Sequence, residues 1–177
     1  MSELIKSKIR TIPHWPKQGV MFRDITTLLK DSEGFKHLIE LLTERYKDTQ
    51  IDVVVGIEAR GLITGSVLAH KLGVGFVPIR KPGKLPAETI SEEYKTEYST
   101  DKIEIHKDAI LPGQKVLITD DLIATGGTAL AACNLIKKVG GELVEFSAIV
   151  DLPELGGKKR IQDAGFKVFN LVEFEGE

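Results

Sequence analysis

Residues 116–128, VLITDDLIATGGT, combine two adjacent carboxylates with a glycine pair flanked by threonines. Asp120 and Asp121 follow an apolar run, and the loop after them contains Ala124, Thr125, Gly126, Gly127 and Thr128. Two glycines let a backbone turn tightly and bring its N–H groups to an anion, and the start of a helix adds favourable partial charge. The segment therefore predicts a phosphate-binding loop to which the threonine hydroxyls also donate.

The acids beside this loop indicate a ligand that carries sugar hydroxyls as well as a phosphate. Carboxylates accept hydrogen bonds from hydroxyl groups, while the glycine loop holds the phosphate. Two common nucleotide-binding loops are excluded, because the segment lacks the Gly-Lys-Ser/Thr ending of a Walker loop and the chain contains no GxGxxG fingerprint.

A second segment suited to chemistry is GIEARG, residues 56–61. Arg60 lies in a glycine-flanked turn, and arginine binds phosphate oxygens in a bidentate manner that lysine cannot match. This arginine is therefore suited to an anionic leaving group. The alternative is a surface arginine that pairs locally with Glu58.

Both segments follow strands of an α/β pattern. Val53, Val54 and Val55 are typical of a strand covered on both faces, and further strands are predicted in VGFVPI, KVLIT, LVEFSAIV and FKVFNLV. The residue pattern also predicts helices over 33–47, with Asp31 or Ser32 as the cap, and over 61–72, 127–139 and 158–164. This alternation predicts a mostly parallel sheet, in which ligands bind at the carboxyl ends of the strands.

Residues 80–102 break the pattern, because they are polar, charged and poor in aliphatic side chains. A connection of this length in a compact domain is usually functional or disordered. The segment is either a solvated hairpin or a mobile lid, and the sequence leaves both open.

The composition is that of an ordinary globular protein of 177 residues in one compact domain. A formal net charge of -2 argues against general binding to nucleic acid or anionic membranes. No apolar run reaches the length of a membrane span, and the charged N-terminal stretch lacks the apolar centre of a signal peptide. Cys133 is the single cysteine, which excludes an intrachain disulfide and fits a reducing compartment. We therefore expect a cytoplasmic protein.

Residues 116–128 resemble the 5-phosphoribosyl-1-pyrophosphate binding motif of the type I phosphoribosyltransferases, which consists of a hydrophobic strand, two acids and a small-residue loop. GVMFRDIT, GIEARG and EYSTDKIEIHKDAI resemble segments of the adenine-specific members in order and spacing. The likeness covers nearly the whole chain. It implies a Rossmann-like α/β core over residues 31–177, a small N-terminal hood over the base in residues 1–30, and a flexible lid loop over 80–102.

The resemblance also implies a reaction, in which the 5-phosphoribosyl group passes to adenine to give AMP and pyrophosphate, a step of purine salvage. Catalysis would depend on Glu97, Asp120, Asp121 and Arg60, with Glu97 exchanging a proton with the purine. The 5′-phosphate would bind the loop from Ala124 to Thr128. The base would stack on Phe22, while backbone groups near Met21 and Arg23 would read its edge. The implied pyrophosphate contacts are Glu58, Ala59, Arg60, Gly61, Arg80, Lys81 and Lys84, and the lid would carry Glu97 and Tyr98.

Magnesium is the cofactor that the resemblance implies, held mainly by pyrophosphate and ribose oxygens rather than by a protein site. The expected partners are the two small-molecule substrates and a second copy in a homodimer. The shared sugar motif leaves open another base, such as xanthine, hypoxanthine, guanine or orotate. A regulatory module that senses the sugar without turnover is a different class, which the intact acids and Arg60 disfavour.

Overall fold

The computed structural model describes residues 2–95 and 99–176. In chain order, the helices and strands of these ranges are α1 Ser2–Ser7, β1 Arg10–Pro13, β2 Met21–Asp24, α2 Thr26–Lys30, α3 Ser32–Tyr46, β3 Val53–Ile57, α4 Arg60–Leu72, β4 Gly75–Ile79, β5 Thr89–Lys95, β6 Thr100–His106, β7 Lys115–Ile123, α5 Gly127–Lys138, β8 Glu142–Asp151, α6 Gly157–Asp163 and β9 Val168–Glu173. None of the helices within these ranges has the length and apolar character needed to cross a membrane.

The central sheet is parallel, as the alternation of strands and helices predicts. In the described part of the chain it has five strands in the order β4-β3-β7-β8-β9, and each neighbouring pair is parallel. Successive side chains of a strand point to opposite faces. Val54 therefore packs in one apolar cluster, while Val53 and Val55 pack in the other.

Helices cover both faces of this sheet. Buried residues of α1, α3 and α4 share the cluster of Val54, and buried residues of α5 and α6 share that of Val55. The predicted cap of α3 is confirmed, since the Asp31 carboxylate accepts a hydrogen bond from the Gly34 N–H at 2.8 Å. Gly73 ends α4 with a φ of 71°, a left-handed conformation that favours glycine.

A close contact between α4 and β7 brings two parts of the predicted site together. A Cβ atom on Gly61 would lie 2.7 Å from the Thr119 carbonyl oxygen and 3.2 Å from the Asp120 Cα. Only a residue without a side chain permits this approach. The first turn of α4, which carries Arg60, therefore lies against the end of β7, which carries the acids.

Residues 80–102 contain most of an antiparallel hairpin rather than an irregular loop. β5 and β6 pair in register from Thr89 opposite His106 to Lys95 opposite Thr100. Ile103 and Ile105 are buried in the same cluster as α5, so the inner strand belongs to the core and runs past residue 102. The hairpin alternative thus describes the architecture. The movement of this segment as a lid stays a prediction.

The N-terminal 30 residues form short elements that share the main core. β1 and β2 pair as an antiparallel ribbon with Arg10 opposite Asp24. Ile5 of α1 and Leu28 of α2 are fully buried in the cluster that also contains residues of α3 and α4. Elements of four to six residues are too short to show a clear periodicity, and the sequence therefore gave no boundaries for them.

Candidate active site

A cleft of about 470 Å³ opens at the carboxyl ends of β3, β4 and β7, and β2 forms another part of its wall. This volume is ordinary for a small-molecule site. The candidate residues that line the cleft are Met21, Phe22, Arg23, Glu58, Ala59, Arg60, Arg80, Lys81, Asp120, Asp121, Ala124, Thr125, Gly126, Gly127 and Thr128. Gly61 lies under the cleft at the α4–β7 contact, and Lys84 is exposed outside its lining. Glu97 and Tyr98 lie outside the described residues.

Asp120 and Asp121 lie within β7 rather than after it, which corrects the predicted end of that strand at residue 119. The strand continues to Ile123 because β8 runs beside it as far as Asp151 and keeps pairing with it. Both acids are less than a tenth exposed. The Asp120 Oδ1 atom accepts a hydrogen bond from the Asp121 N–H at 2.8 Å, and the Asp121 carboxylate forms an ion pair with the Arg60 Nε.

The two acids differ in their electrostatic surroundings. Burial raises the pKa of Asp120 well above its ordinary value, and the nearby charge of Asp121 raises it further. Arg60 acts in the opposite direction but does not reverse the shift. A ligand that donates hydroxyl hydrogens to this pair would replace the water that burial has removed.

The predicted phosphate loop lies directly before the start of α5. Gly126 has a φ of 79° and precedes the first residue of α5, so the N–H groups of the helix start face the loop. A Cβ atom on Gly126 would lie 2.7 Å from the Gly157 carbonyl oxygen, and the Gly157 N–H donates to the Ala124 carbonyl at 3.1 Å. The start of α6 thus supports the loop from behind.

The β3–α4 turn and the chain that follows β4 carry cations suited to a second anionic group, namely Arg60, Arg80 and Lys81. Glu58 accepts from the Lys81 N–H at 2.8 Å and from the Arg80 Nε at 2.9 Å. The hydrogen bond from the Lys81 N–H, followed by the contact with Arg80, lowers the pKa of Glu58 despite its partial burial. The Glu58–Ala59 peptide bond is cis. Arg60 pairs with Asp121 across the cleft, so the alternative of a local Arg60–Glu58 pair is wrong.

Phe22 of β2 lines the cleft and makes two contacts there. Its ring meets that of Trp15 edge-on, with centroids 4.4 Å apart, and the Arg60 guanidinium lies 5.5 Å from its centroid. Phe22 therefore anchors the ribbon and lines the cleft at the same time. The side chain of Arg23 donates to Thr11 and to the carbonyl of Glu175.

Sequence reasoning missed several apolar residues of the cleft, of which Leu152 and Leu155 are the clearest. They follow β8 directly, and the rule that ligands bind beyond the carboxyl ends of parallel strands could have found them. Tyr94 of β5 also lines the cleft, since the hairpin folds over the start of α5. The length and polarity of residues 80–102 did not indicate that Tyr94 would contact the cleft.

The phosphoribosyl transferase domain family matches residues 24–174, which contain the sheet, the acid pair, the phosphate loop and the β3–α4 turn. The chain therefore belongs to the phosphoribosyltransferase family.

Relatives that match nearly the whole chain indicate which members of the family it resembles. An adenine phosphoribosyltransferase of Chlorobium phaeovibrioides is 62% identical over 98% of this chain and 99% of its own. The crystal structure of adenine phosphoribosyltransferase from Thermoanaerobacter pseudethanolicus is 48% identical, with a TM-score of 0.94 over 98% of this chain and 100% of that one. The Saccharomyces cerevisiae enzyme, solved with an iminoaltritol bisphosphate and adenine, is 38% identical with a TM-score of 0.90 over 97% and 98%. These similarities are to the adenine-specific members of the family.

Proposed function

We propose that the protein transfers the 5-phosphoribosyl group from 5-phosphoribosyl-1-pyrophosphate to adenine, giving AMP and pyrophosphate. The observation that carries this proposal is one cleft in which a phosphate loop, a buried acid pair and two arginines meet the aromatic wall of β2. A relative of the same length has been solved with adenine bound, which favours this base over the 6-oxopurines.

In this proposal, the acid pair stabilises the reacting sugar. Displacement at the anomeric carbon develops positive charge over the ribose ring, as it does at a glycosidic carbon. Asp120 and Asp121 would accept hydrogen bonds from the ribose hydroxyls and hold negative charge close to that ring. The phosphate loop binds the far end of the same sugar, and this remote contact orients the anomeric carbon.

In this proposal, the arginines bind the pyrophosphate. Arg60 and Arg80 are paired with Asp121 and Glu58 in the free protein, so binding of the anion would exchange carboxylate partners for phosphate oxygens. The acid pair and the open cleft fit a magnesium ion, which prefers carboxylate, phosphate and water oxygens. When bound with the substrate, the ion would neutralise charge on the departing pyrophosphate.

The base would lie against Phe22, with its edge read by the backbone of β2. Adenine presents an amino donor and an unprotonated N1 acceptor, whereas hypoxanthine and guanine reverse that pattern. A backbone edge that pairs with one pattern leaves polar groups unpaired against the other. Glu97 is proposed to accept the proton that the purine loses.

A homodimer in the cytoplasm, with magnesium as cofactor, completes the proposal. The sedimentation coefficient at several protein concentrations measures the oligomeric state directly. A mass of one chain at all concentrations would contradict the dimer without affecting the reaction proposed above.

Removal of magnesium with a chelator should abolish turnover, and manganese should restore part of it because it accepts similar oxygen ligands.

The reaction is tested by incubating the protein with magnesium, the activated sugar and each of adenine, hypoxanthine, guanine, xanthine and orotate. We expect AMP and pyrophosphate in equal amounts with adenine, and a rate with the 6-oxopurines lower by about 10⁴-fold. Phe22→Ala should weaken adenine use without admitting guanine, since stacking does not discriminate among purines. A preference for a 6-oxopurine would overturn the choice of base, and sugar binding without turnover would identify a sensor.

A further inference from the structure

Arg23 has a side chain whose contacts lead away from the reaction centre. Its Nη1 donates to the Thr11 Oγ1 at 2.6 Å, and its Nη2 donates to the Glu175 carbonyl at 2.7 Å. The guanidinium also lies 4.8 Å from the centre of the Phe174 ring, a favourable cation–π distance. One side chain thus joins β1, β2 and the segment that follows β9.

The burial of Arg23 lowers the stability of the folded protein. Arg23 is 8% exposed, and its Nε is buried without a hydrogen-bond partner among the described residues. A buried charge with an unpaired donor reduces stability, and apolar residues of similar size often replace such groups without loss. A purely structural position would therefore favour methionine or leucine over arginine.

The position of Arg23 in β2 supplies a functional reason. Met21, Phe22 and Arg23 line the cleft, but β1 and β2 are only four residues each and form an isolated ribbon. A two-stranded ribbon is marginally stable by itself. A strand that reads a base edge must be held to about 0.5 Å, so it needs ties to a rigid element. Arg23 ties β2 to the chain leaving β9, which belongs to the central sheet.

We propose that Arg23 is a positioning residue for adenine, and that Phe174 and Glu175 are part of the base site although neither lines the cleft. The side chain fixes the register of the β2 backbone, and that backbone recognises the base. The sugar-phosphate end of the cleft is built from β7, α4 and α5 and does not depend on this tie. The inference rests on the proposed transfer to adenine.

The test compares KM for adenine and KM for the activated sugar in Arg23→Met, Arg23→Lys and Phe174→Ala. Loss of one well-aligned hydrogen bond corresponds to about tenfold in affinity, and we expect the adenine KM of Arg23→Met to rise by that factor. The KM for the activated sugar should stay within about twofold of wild type. Arg23→Lys keeps the charge but replaces two donor nitrogens in a fixed plane by one, so its adenine KM should be intermediate.

Lys6→Met is the matched control. Lys6 also lies over the Phe174 ring, 5.0 Å from its centroid, but it belongs to α1 and its removal leaves the tie between Arg23 and Glu175. Its adenine KM should equal that of wild type. A purely structural Arg23 would lower the amount of active enzyme, and therefore kcat, with both KM values unchanged. That result would overturn the inference, whereas wild-type protein that forms no AMP would overturn the proposed function instead.

Discussion

Asp120 is a buried carboxylate next to a second carboxylate, and this position reduces stability. Its raised pKa means that the folded state resists ionisation that the unfolded chain accepts. The penalty is absent below the unfolded pKa of about 4 and grows as the pH rises towards the folded value. Residues at functional sites commonly show this conflict between stability and activity.

Asp120→Asn should therefore stabilise the free protein at neutral pH while lowering turnover by at least about a hundredfold. The gain in melting temperature should be larger at pH 7 than at pH 5. Asp121→Asn is the contrasting variant, because it leaves Arg60 without its carboxylate partner. It should lose turnover without any gain in melting temperature. Full activity in either variant would contradict the roles proposed for the acids.

Gly126 and Gly127 carry different constraints although they are adjacent. An alanine at position 126 would need a left-handed backbone and would meet the Gly157 carbonyl at 2.7 Å. An alanine at position 127 would meet the Tyr94 ring at 3.3 Å and the Lys95 carbonyl at 3.4 Å, which a small shift of the hairpin can relieve. Calorimetric affinity for AMP should fall by about 5- to 150-fold in Gly126→Ala, because a loop that escapes left-handed strain of about 1–3 kcal/mol loses its phosphate-binding shape. Gly127→Ala should bind AMP more tightly than Gly126→Ala, and the reverse order would contradict this account of the loop.

The sequence located the residues that line the cleft better than it predicted their pairings. The glycine pair, the acids and Arg60 were found because their types and spacing are unusual for structure alone. The partner of Arg60 was not predictable, since Asp121 is 61 positions away and the contact depends on how Gly61 packs against β7. The sequence assigned a role in base recognition to the backbone near Arg23 and none to its side chain. Nothing in the local sequence indicates the hydrogen bond from that side chain to Glu175, which lies 152 positions away.

At the scale of elements, the hairpin of β5 and β6 is held to α5 by one side of its outer strand. Lys138 forms an ion pair with Glu92 and donates to the Ser91 carbonyl at 3.4 Å. Lys138→Met should raise amide hydrogen exchange several-fold over residues 89–95, because this half-buried strand would lose its polar contacts with α5 and open more easily. Ile103 and Ile105 should stay protected, since they belong to the core.

Lys137→Met is the control for this experiment. The ammonium group of Lys137 lies over the Phe166 ring, 4.3 Å from its centroid, and so faces away from the hairpin contact that Lys138 makes. Its exchange over residues 89–95 should match wild type. Substrate analogues should slow exchange in the same residues if the hairpin closes as a lid. Equal exchange in Lys138→Met and wild type, with and without ligand, would identify a fixed hairpin.

The longer strands and helices were predictable from the pattern of apolar residues. A strand buried on both faces has a continuous apolar run, and a helix buried on one side has apolar residues at helical spacing. β7 was predicted four residues too short, since two acids normally indicate the end of a buried strand. The hairpin carries seven-residue strands whose outer face is charged, and composition alone does not distinguish such strands from a loop. Tertiary pairing, rather than local propensity, decided both cases.

At the scale of the whole molecule, the free energy of unfolding at low pH depends on the carboxylates that have hydrogen-bond or ion-pair partners in the folded state. Asp24 accepts hydrogen bonds from the Thr26 N–H at 2.9 Å and from the Thr26 hydroxyl at 2.7 Å, and it pairs with Arg10. Burial opposes its ionisation, but the contacts from Thr26 and Arg10 outweigh burial and lower its pKa from 3.8 to about 2. Asp24 therefore holds the ribbon to α2 more strongly in its charged form than in its protonated form.

Asp24→Asn should reduce the free energy of unfolding at pH 7 by at most about 2 kcal/mol. The side chain of Arg10 is 57% exposed, so solvent screening makes the measured loss smaller. Because the folded pKa is depressed, this contribution is complete above the unfolded value and is lost as the pH falls towards 2. Urea unfolding from pH 7 to about pH 3 should therefore show the curves of wild type and Asp24→Asn converging at low pH. Glu40→Gln is the control, since Glu40 is exposed and lies 3.7 Å from Lys36. Its curve should run parallel to wild type, and a constant gap for Asp24→Asn would show that its charge does not stabilise the fold.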